Sequence, residues 1–222
     1  MSPSTWDWEF AREILPDMLR GLRVTVEVTV VGIAIALVLG LVLAMLRRSH
    51  RRAIRWPVGL MVEFIRSTPL LVQLFFIFYV LPDYDIRLSG WSTIVIGLAL
   101  HYACYTSETY RAGIESVPKG QWEASTAINL TRMQTWRHVI LPQAIPTALP
   151  ALGNYVVASL KDAPLASSVS VVGILAVAKE IQGDTFRGME PFTIAGVLFL
   201  LVSVPLAILV RLLEKRHAFE RT

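Results

Sequence analysis

Long charge-free apolar runs alternate along the chain with short charged segments. A bilayer core about 30 Å thick takes roughly 20 apolar helical residues. Five runs approach that length: residues 28–46, with a helix start near Val24; residues 56–82, charged in the first half and charge-free from Ser67; residues 88–107; residues 139–160, broken up by Pro142, Pro146 and Pro150; and residues 191–210. The pattern predicts an all-α membrane protein with five crossings. Residues 163–178 are charge-free but short and rich in Ser and Val, which predicts a re-entrant or interfacial piece buried in protein.

Ahead of the first run, Phe10, Ile14, Leu15, Met18, Leu19 and Leu22 recur at helical spacing, with Asp7, Glu9, Arg12, Glu13 and Asp17 on the other face. Residues 1–22 read equally as an amphipathic helix on the outer membrane surface or as a helix packed on the spans. Within the first run, Gly32, Ala36, Gly40 and Ala44 recur every fourth residue. Such a stripe lets two helices approach closely in lipid. Trp56, Tyr79, Tyr84 and Trp91 lie near the ends of runs and fit interfacial anchoring.

Charge sets the orientation. Thirteen Lys and Arg fall in the segments after runs one, three and five, beginning with Arg47, Arg48, Arg51, Arg52 and Arg55; seven fall in the opposite segments. Positive residues stay cytoplasmic. The expectation is therefore an external N-terminus and a cytoplasmic C-terminus, with residues 23–216 forming the membrane domain and 217–222 a cytoplasmic tail. Composition agrees: 54% of the residues are hydrophobic and 17% charged, against about 25% charged in soluble domains. The N-terminus lacks a basic stretch leading directly into an apolar one, so no signal peptide is read there.

Several chemistries drop out. The single cysteine, Cys104, forms no intramolecular disulfide, and His50, His101, His138 and His217 show no metal-ligand spacing. No basic patch is interleaved with aromatics, which argues against nucleic acid. None of the four lysines follows a glycine, so the Gly-Lys-Ser/Thr of a P-loop is absent. ATP-driven work must come from a partner.

The polar stretch 110–142 is too long for a minimal connection and too polar for a span. Residues 121–136 read as one short helix parallel to the membrane after the Pro118-Lys119-Gly120 turn. Here Glu123-Ala124-Ser125, Asn129 and Ile140-Leu141-Pro142 resemble the Glu-Ala-Ala helix, glycine and Ile-Leu-Pro of the transmembrane subunits of bacterial ABC importers. Ser125 departs from that pattern, as does Asn129, although asparagine tolerates left-handed geometry, so a bend can survive there. Residues 63–73, 117–123, 141–144, 152–154 and 160–162 are similar to the polar amino-acid uptake branch. Residues 79–83, His101-Tyr102, Tyr105-Thr106, 127–130 and 150–155 look like ectoine and hydroxyectoine permeases.

The resemblance implies the type I ABC importer permease fold in the bacterial inner membrane. It implies a docking segment for cytoplasmic ATP-binding subunits, carried here by Gly120, Glu123, Ala124, Ser125, Ala127, Asn129, Leu130 and Pro142. It further implies a second permease subunit, an external solute-binding protein, and no cofactor in this chain, ATP and Mg residing on the ATPase. Glu63, Arg66, Gln73, His101, Glu108, Asn154, Lys161 and Asp162 are the candidates for the translocation pathway, since ionisable groups in spans are costly. For each, a local structural pair is the competing reading: Glu63 with Arg66, and Glu108 with Arg111, are three apart and share a helix face. The rival function is a secondary transporter or channel working without ATP, which needs ion-coupling residues at mid-membrane, often on repeated halves. No internal repeat is evident.

Overall fold

The computed structural model describes residues 6–219, with side chains to residue 213. Residues 1–5 of the expected external segment and 220–222 of the expected tail lie outside the described residues. Nine α-helices follow one another among the described residues: α1 Trp8–Arg47, α2 Arg52–Arg66, α3 Leu70–Phe75, α4 Gly90–Glu115, α5 Lys119–Ala127, α6 Arg132–Gln134, α7 Leu141–Asp162, α8 Ile174–Thr185 and α9 Met189–Phe219. The described chain has no strand. Its contacts divide into two units, residues 1–34, 68–99 and 157–206, and residues 35–67, 100–156 and 207–222.

In the first unit, α1 begins where Asp7 turns its carboxylate onto the N–H groups of Glu9 and Phe10, at 3.0 and 3.1 Å. That carboxylate also accepts from Arg187 Nη1 at 2.9 Å. The Arg187 hydrogen bond, with the two backbone donors, holds the Asp7 carboxyl below its ordinary range. From there α1 runs unbroken to Arg47, so a helix starting near Val24 is corrected: the amphipathic segment and the first span are one helix. No glycine–proline break or cap separates them, and Pro16 sits at an exposed position. Ile14 and Met18 are buried with Ile174, Val177, Ala178 and Ala195. This half of α1 packs on protein, as the second reading of residues 1–22 had it.

Half of residues 163–178 are buried and the rest are half-buried apart from the exposed Ser170 and Val172. A 3-10 turn, Ala163–Val169, ends at Ser170 with φ 59°, and α8 then starts at Ile174. The N–H of Ile174 donates to Thr25 Oγ1 of α1 at 3.0 Å. Gly21 makes this approach possible, since a Cβ there would lie 3.0 Å from the Ile174 backbone. The start of α8 is thus capped by a neighbouring helix.

The expected second span is also corrected. The chain stops being helical at Ser67, passes through an extended Pro69 (ψ 140°), and resumes as α3. The residue before a proline is pushed out of the helical region, which places the break at Thr68. The amide of Gln73 closes on Thr68, donating to its carbonyl and hydroxyl at 3.0 Å each.

Prolines do not break the fourth span. α7 is continuous through Pro146 and Pro150. It is preceded by a π turn, Thr135–Ile140, in which Leu141 N–H reaches Trp136 O, five residues back. A second π turn, Phe76–Val80, ends with Leu81 N–H on Phe76 O. In both, the next residue is a proline, Pro142 or Pro82. A proline has no N–H for the carbonyl four residues back, and widening the turn is one way to accommodate that loss.

The small-residue stripe packs on α4. In the first unit a Cβ on Gly32 would lie 2.9 Å from Leu98 Cβ. In the second, one on Gly40 would lie 2.9 Å from Ala103 O and would overlap the Thr106 hydroxyl, which itself donates to Ala36 O at 3.2 Å. By length and apolarity, α1 and α9 to Leu213 suffice to cross a membrane, and two bent helix pairs (52–66 with 70–84, 132–169 with 174–185) raise the count to four if each is one span. Helix α4 is not among them; its middle carries His101, Tyr102, Tyr105 and Thr106.

Gly40→Val fills space already occupied by Thr106. Overpacking of this kind costs about 1–3 kcal/mol, so the variant is expected to lose folded protein on heating in detergent well before Gly59→Val, whose site has nothing within 4 Å. Size-exclusion profiles after graded heating measure the difference.

Candidate functional site

Two clusters of the second unit hold the residues of interest. The first is built on α5. Pro118, extended at ψ 141°, starts the helix, which carries Gly120, Glu123, Ala124 and Ala127 on exposed positions. Ser125 is buried, its hydroxyl donating to Gln121 O at 2.7 Å, so it does not belong to that exposed surface. The expected single helix over 121–136 is corrected. Helix α5 ends at Ala127, and Asn129 adopts φ 56°. Leu130 N–H bonds Ser125 O at 3.0 Å and Asn129 N–H bonds Thr126 O at 3.0 Å. This pair of bonds is a Schellman C-cap with Asn129 at the left-handed position. The bend that asparagine was expected to permit is present.

Helix α6 starts two residues later with a capping box. Thr131 Oγ1 accepts from Gln134 N, and Gln134 Oε1 accepts from Thr131 N at 2.9 Å. The Thr-x-x-Gln spacing is visible in the sequence and marks a helix start; it is the signal that a single-helix reading overlooks. Pro142, expected to dock, lies at the beginning of α7 and is exposed.

Trp122 of α5 and Trp136 of the π turn meet edge to face, ring centroids 5.5 Å apart. They pack on Ile114 of α4, on Val117 just after it, and on Ile140 and Ala144. The Arg48 guanidinium stands 5.9 and 5.7 Å from the two rings. Exposed cation–π contacts are worth about 0.5–1 kcal/mol each, so apolar packing carries most of the anchoring and Arg48 ties it to the end of α1.

The second cluster centres on Glu108. Arg111 donates to it at 2.8 and 2.9 Å, Arg66 lies 3.9 Å away, and Arg47 closes on its other oxygen. Glu63 pairs with Arg66 at 3.6 Å and Glu115 with Arg111 at 2.6 Å. Both local pairs read from the sequence are present, and Arg47, counted there as a loop charge, joins them. Tyr105 OH donates to Arg66 O at 3.1 Å, and the Arg66 guanidinium stands 5.3 Å from the Tyr105 ring. His101, Tyr102, Tyr105 and Tyr155 continue as a ring cluster with centroids 5.0–6.4 Å apart.

Among the pathway candidates, then, Glu63, Arg66, Glu108 and His101 fall in this connected group. Asn154 is exposed on α7 beside Tyr155. Gln73, exposed Lys161 and half-buried Asp162 belong to the first unit, and Gln73 is engaged with Thr68. Sequence reasoning missed Arg47, Arg48, Trp122, Trp136 and Tyr155, whose partners are remote in sequence.

Residues 36–218 match the family described as binding-protein-dependent transport system inner membrane component. The chain belongs to that family. It is 43% identical over 215 residues to the probable amino-acid ABC transporter permease protein y4tG of Sinorhizobium fredii, covering 95% of this chain and 93% of that one. It is 32% identical over 213 residues to the glutamine transport system permease protein GlnP of Escherichia coli, covering 95% and 97%. A crystal structure of an amino acid ABC transporter with histidines superposes with a TM-score of 0.89 at 32% identity, over 96% of this chain and 100% of that one. The methionine transporter MetNI, at 20% identity and a TM-score of 0.74, shares the fold. This chain is a permease subunit of an ABC importer, with ATP hydrolysis on separate subunits.

Glu108→Gln leaves three arginines facing one another. Breaking a buried pair costs about 3–5 kcal/mol; here Glu108 is 17% and the arginines 20–34% exposed, so roughly half that loss is expected, read as reduced thermal stability in detergent. Asn129→Gly should keep the bend and near-normal stability. Asn129→Val places a branched side chain at φ 56°, a strain of about 1–2 kcal/mol, and protease cleavage at 128–131 should increase.

Proposed function

We propose that the chain carries a small polar solute, an amino acid in the first instance, across the bacterial inner membrane. It works with a second permease subunit, two cytoplasmic ATP-binding subunits and an external solute-binding protein. The observation that carries this reading is α5. A nine-residue helix with Gly120, Glu123, Ala124 and Ala127 exposed is fixed from behind by Trp122 and ended by a left-handed turn. Small side chains allow a partner surface close approach, and Glu123 offers a charge to it.

The Lys and Arg distribution supports five crossings with the N-terminus outside, so that α5 faces the cytoplasm. In that arrangement α4 crosses as a helix whose polar groups are turned into the bundle. Closure of the ATPases on ATP displaces α5, and its anchoring to α4, α7 and α1 passes the displacement to the helices. Nucleotide thereby biases two packings of the permease pair, which is the thermodynamic content of coupling. The proteins of similar sequence include glutamine, cystine and nopaline permeases by name, which supports an amino acid or a close relative. The likeness to ectoine permeases keeps that compatible solute within the same reading.

Glu123→Lys reverses the charge on the exposed face of α5 without touching its packed side. Uptake driven by ATP should fall at least tenfold while the permease still inserts and the ATPase retains its own turnover. Uptake into vesicles of glutamine, histidine, arginine and ectoine, each with the cognate binding protein, measures this; unchanged uptake removes the docking role.

A further inference from the structure

Helix α2 ends at Arg66, before the Thr68 break, and is two-sided. Val62 is buried and Ile54, Val58 and Ile65 are half-buried, which defines the inner face. Trp56, Leu60 and Phe64, spaced by four, form a stripe that is 71, 54 and 69% exposed. Arg52 stands one turn before Trp56 at the head of that stripe, with Arg55 beside it and Arg51 just before the helix, while Glu63, two turns beyond Arg55, is paired with Arg66. No acid occurs between Arg47 and Glu63. Among the described residues, the ion pairs involve Arg47, Arg66 and Arg111 in this region and none of Arg51, Arg52 or Arg55.

An apolar stripe bordered by uncompensated arginines suits the boundary between acyl chains and headgroups. A second copy of the chain meeting the same face in a two-fold contact would bring arginines against arginines, an unfavourable juxtaposition. Phospholipid phosphates complement that charge. We propose that α2 lies in the inner leaflet interface, with Trp56, Leu60 and Phe64 among acyl chains and Arg51, Arg52 and Arg55 on the phosphates of anionic phospholipids. The working importer then prefers an anionic membrane. The inference rests on the permease reading for its membrane and is independent of α5 docking.

The test uses the complete importer, permease with its ATPase subunits, in nanodiscs of equimolar phosphatidylcholine and phosphatidylglycerol. Lipid retained on release is identified by native mass spectrometry. Each arginine near an anionic surface contributes roughly a fivefold preference, so phosphatidylglycerol should be retained over phosphatidylcholine by more than tenfold, and R51Q/R52Q/R55Q should bring the ratio close to one. Inorganic phosphate in the buffer should not displace the lipid. Equal retention of both lipids by the unmodified protein overturns the proposal without any variant. So does a photo-crosslinking residue at Phe64 that labels a second permease copy rather than lipid. Absence of uptake in every lipid, with the retention preference intact, refutes the transport reading and leaves this one standing.

Discussion

Inside a bilayer an amide or carbonyl without a partner in the chain has no water to turn to, and each such group costs several kcal/mol. The interruptions of the helices in this permease are organised around that constraint. Where α8 starts among buried residues, its first donor is met by Thr25 of α1. Where α5 stops, Leu130 and Asn129 return their N–H groups to Ser125 and Thr126. Where a proline removes a donor, the preceding turn widens until Leu81 and Leu141 reach Phe76 and Trp136. At each of these interruptions the chain carries its own hydrogen-bond partners.

Charge obeys the same logic. Around Glu108, Arg47, Arg66 and Arg111 are matched by Glu63, Glu108 and Glu115, so the group is balanced although no single pair is isolated. The three arginines come from the ends of α1 and α2 and from α4, so losing Glu108 would loosen three helices at once. Arg66 is also the last residue of α2, and the Tyr105 hydroxyl holds its carbonyl at 3.1 Å. The helix end before the Thr68 break is thereby fixed by α4.

The apolar runs of α1 and α9 were legible because crossing a bilayer demands length and uniform apolarity, both visible in one dimension. The bend at Asn129 was legible because asparagine tolerates the left-handed geometry of a local turn. What escaped were features set by partners far away in sequence. Arg47 and Arg48 look alike on paper as loop charges, yet one meets Glu108 and the other two indoles. The continuity of α1 escaped because its first half is apolar on one side only, and its packing with Ile174, Val177, Ala178 and Ala195 is what shows that this side faces protein. Reading the prolines of α7 as breaks overestimated their effect: the helix runs through Pro146 and Pro150, and a π turn precedes Pro142. Thr131-x-x-Gln134 marks a helix start in the sequence itself, a local signal that a single helix over 121–136 overlooks.

The adjacency of Arg47 and Arg48 bears on how force travels. Two neighbouring residues on a helix end point about 100° apart, so they engage different structures without bending the backbone. Arg48 takes hold of the indole pair that backs α5; Arg47 takes hold of the carboxylate shared by α2 and α4. A displacement of α5 therefore meets two resistances in series, apolar packing on Ile114, Val117, Ile140 and Ala144 and then the ion cluster. Packed cores shift between discrete arrangements and do not stretch, while a cluster of several ion pairs has more than one way to satisfy its charges. In the docking role proposed for α5, the first makes it a rigid lever and the second links it to α2 and α4.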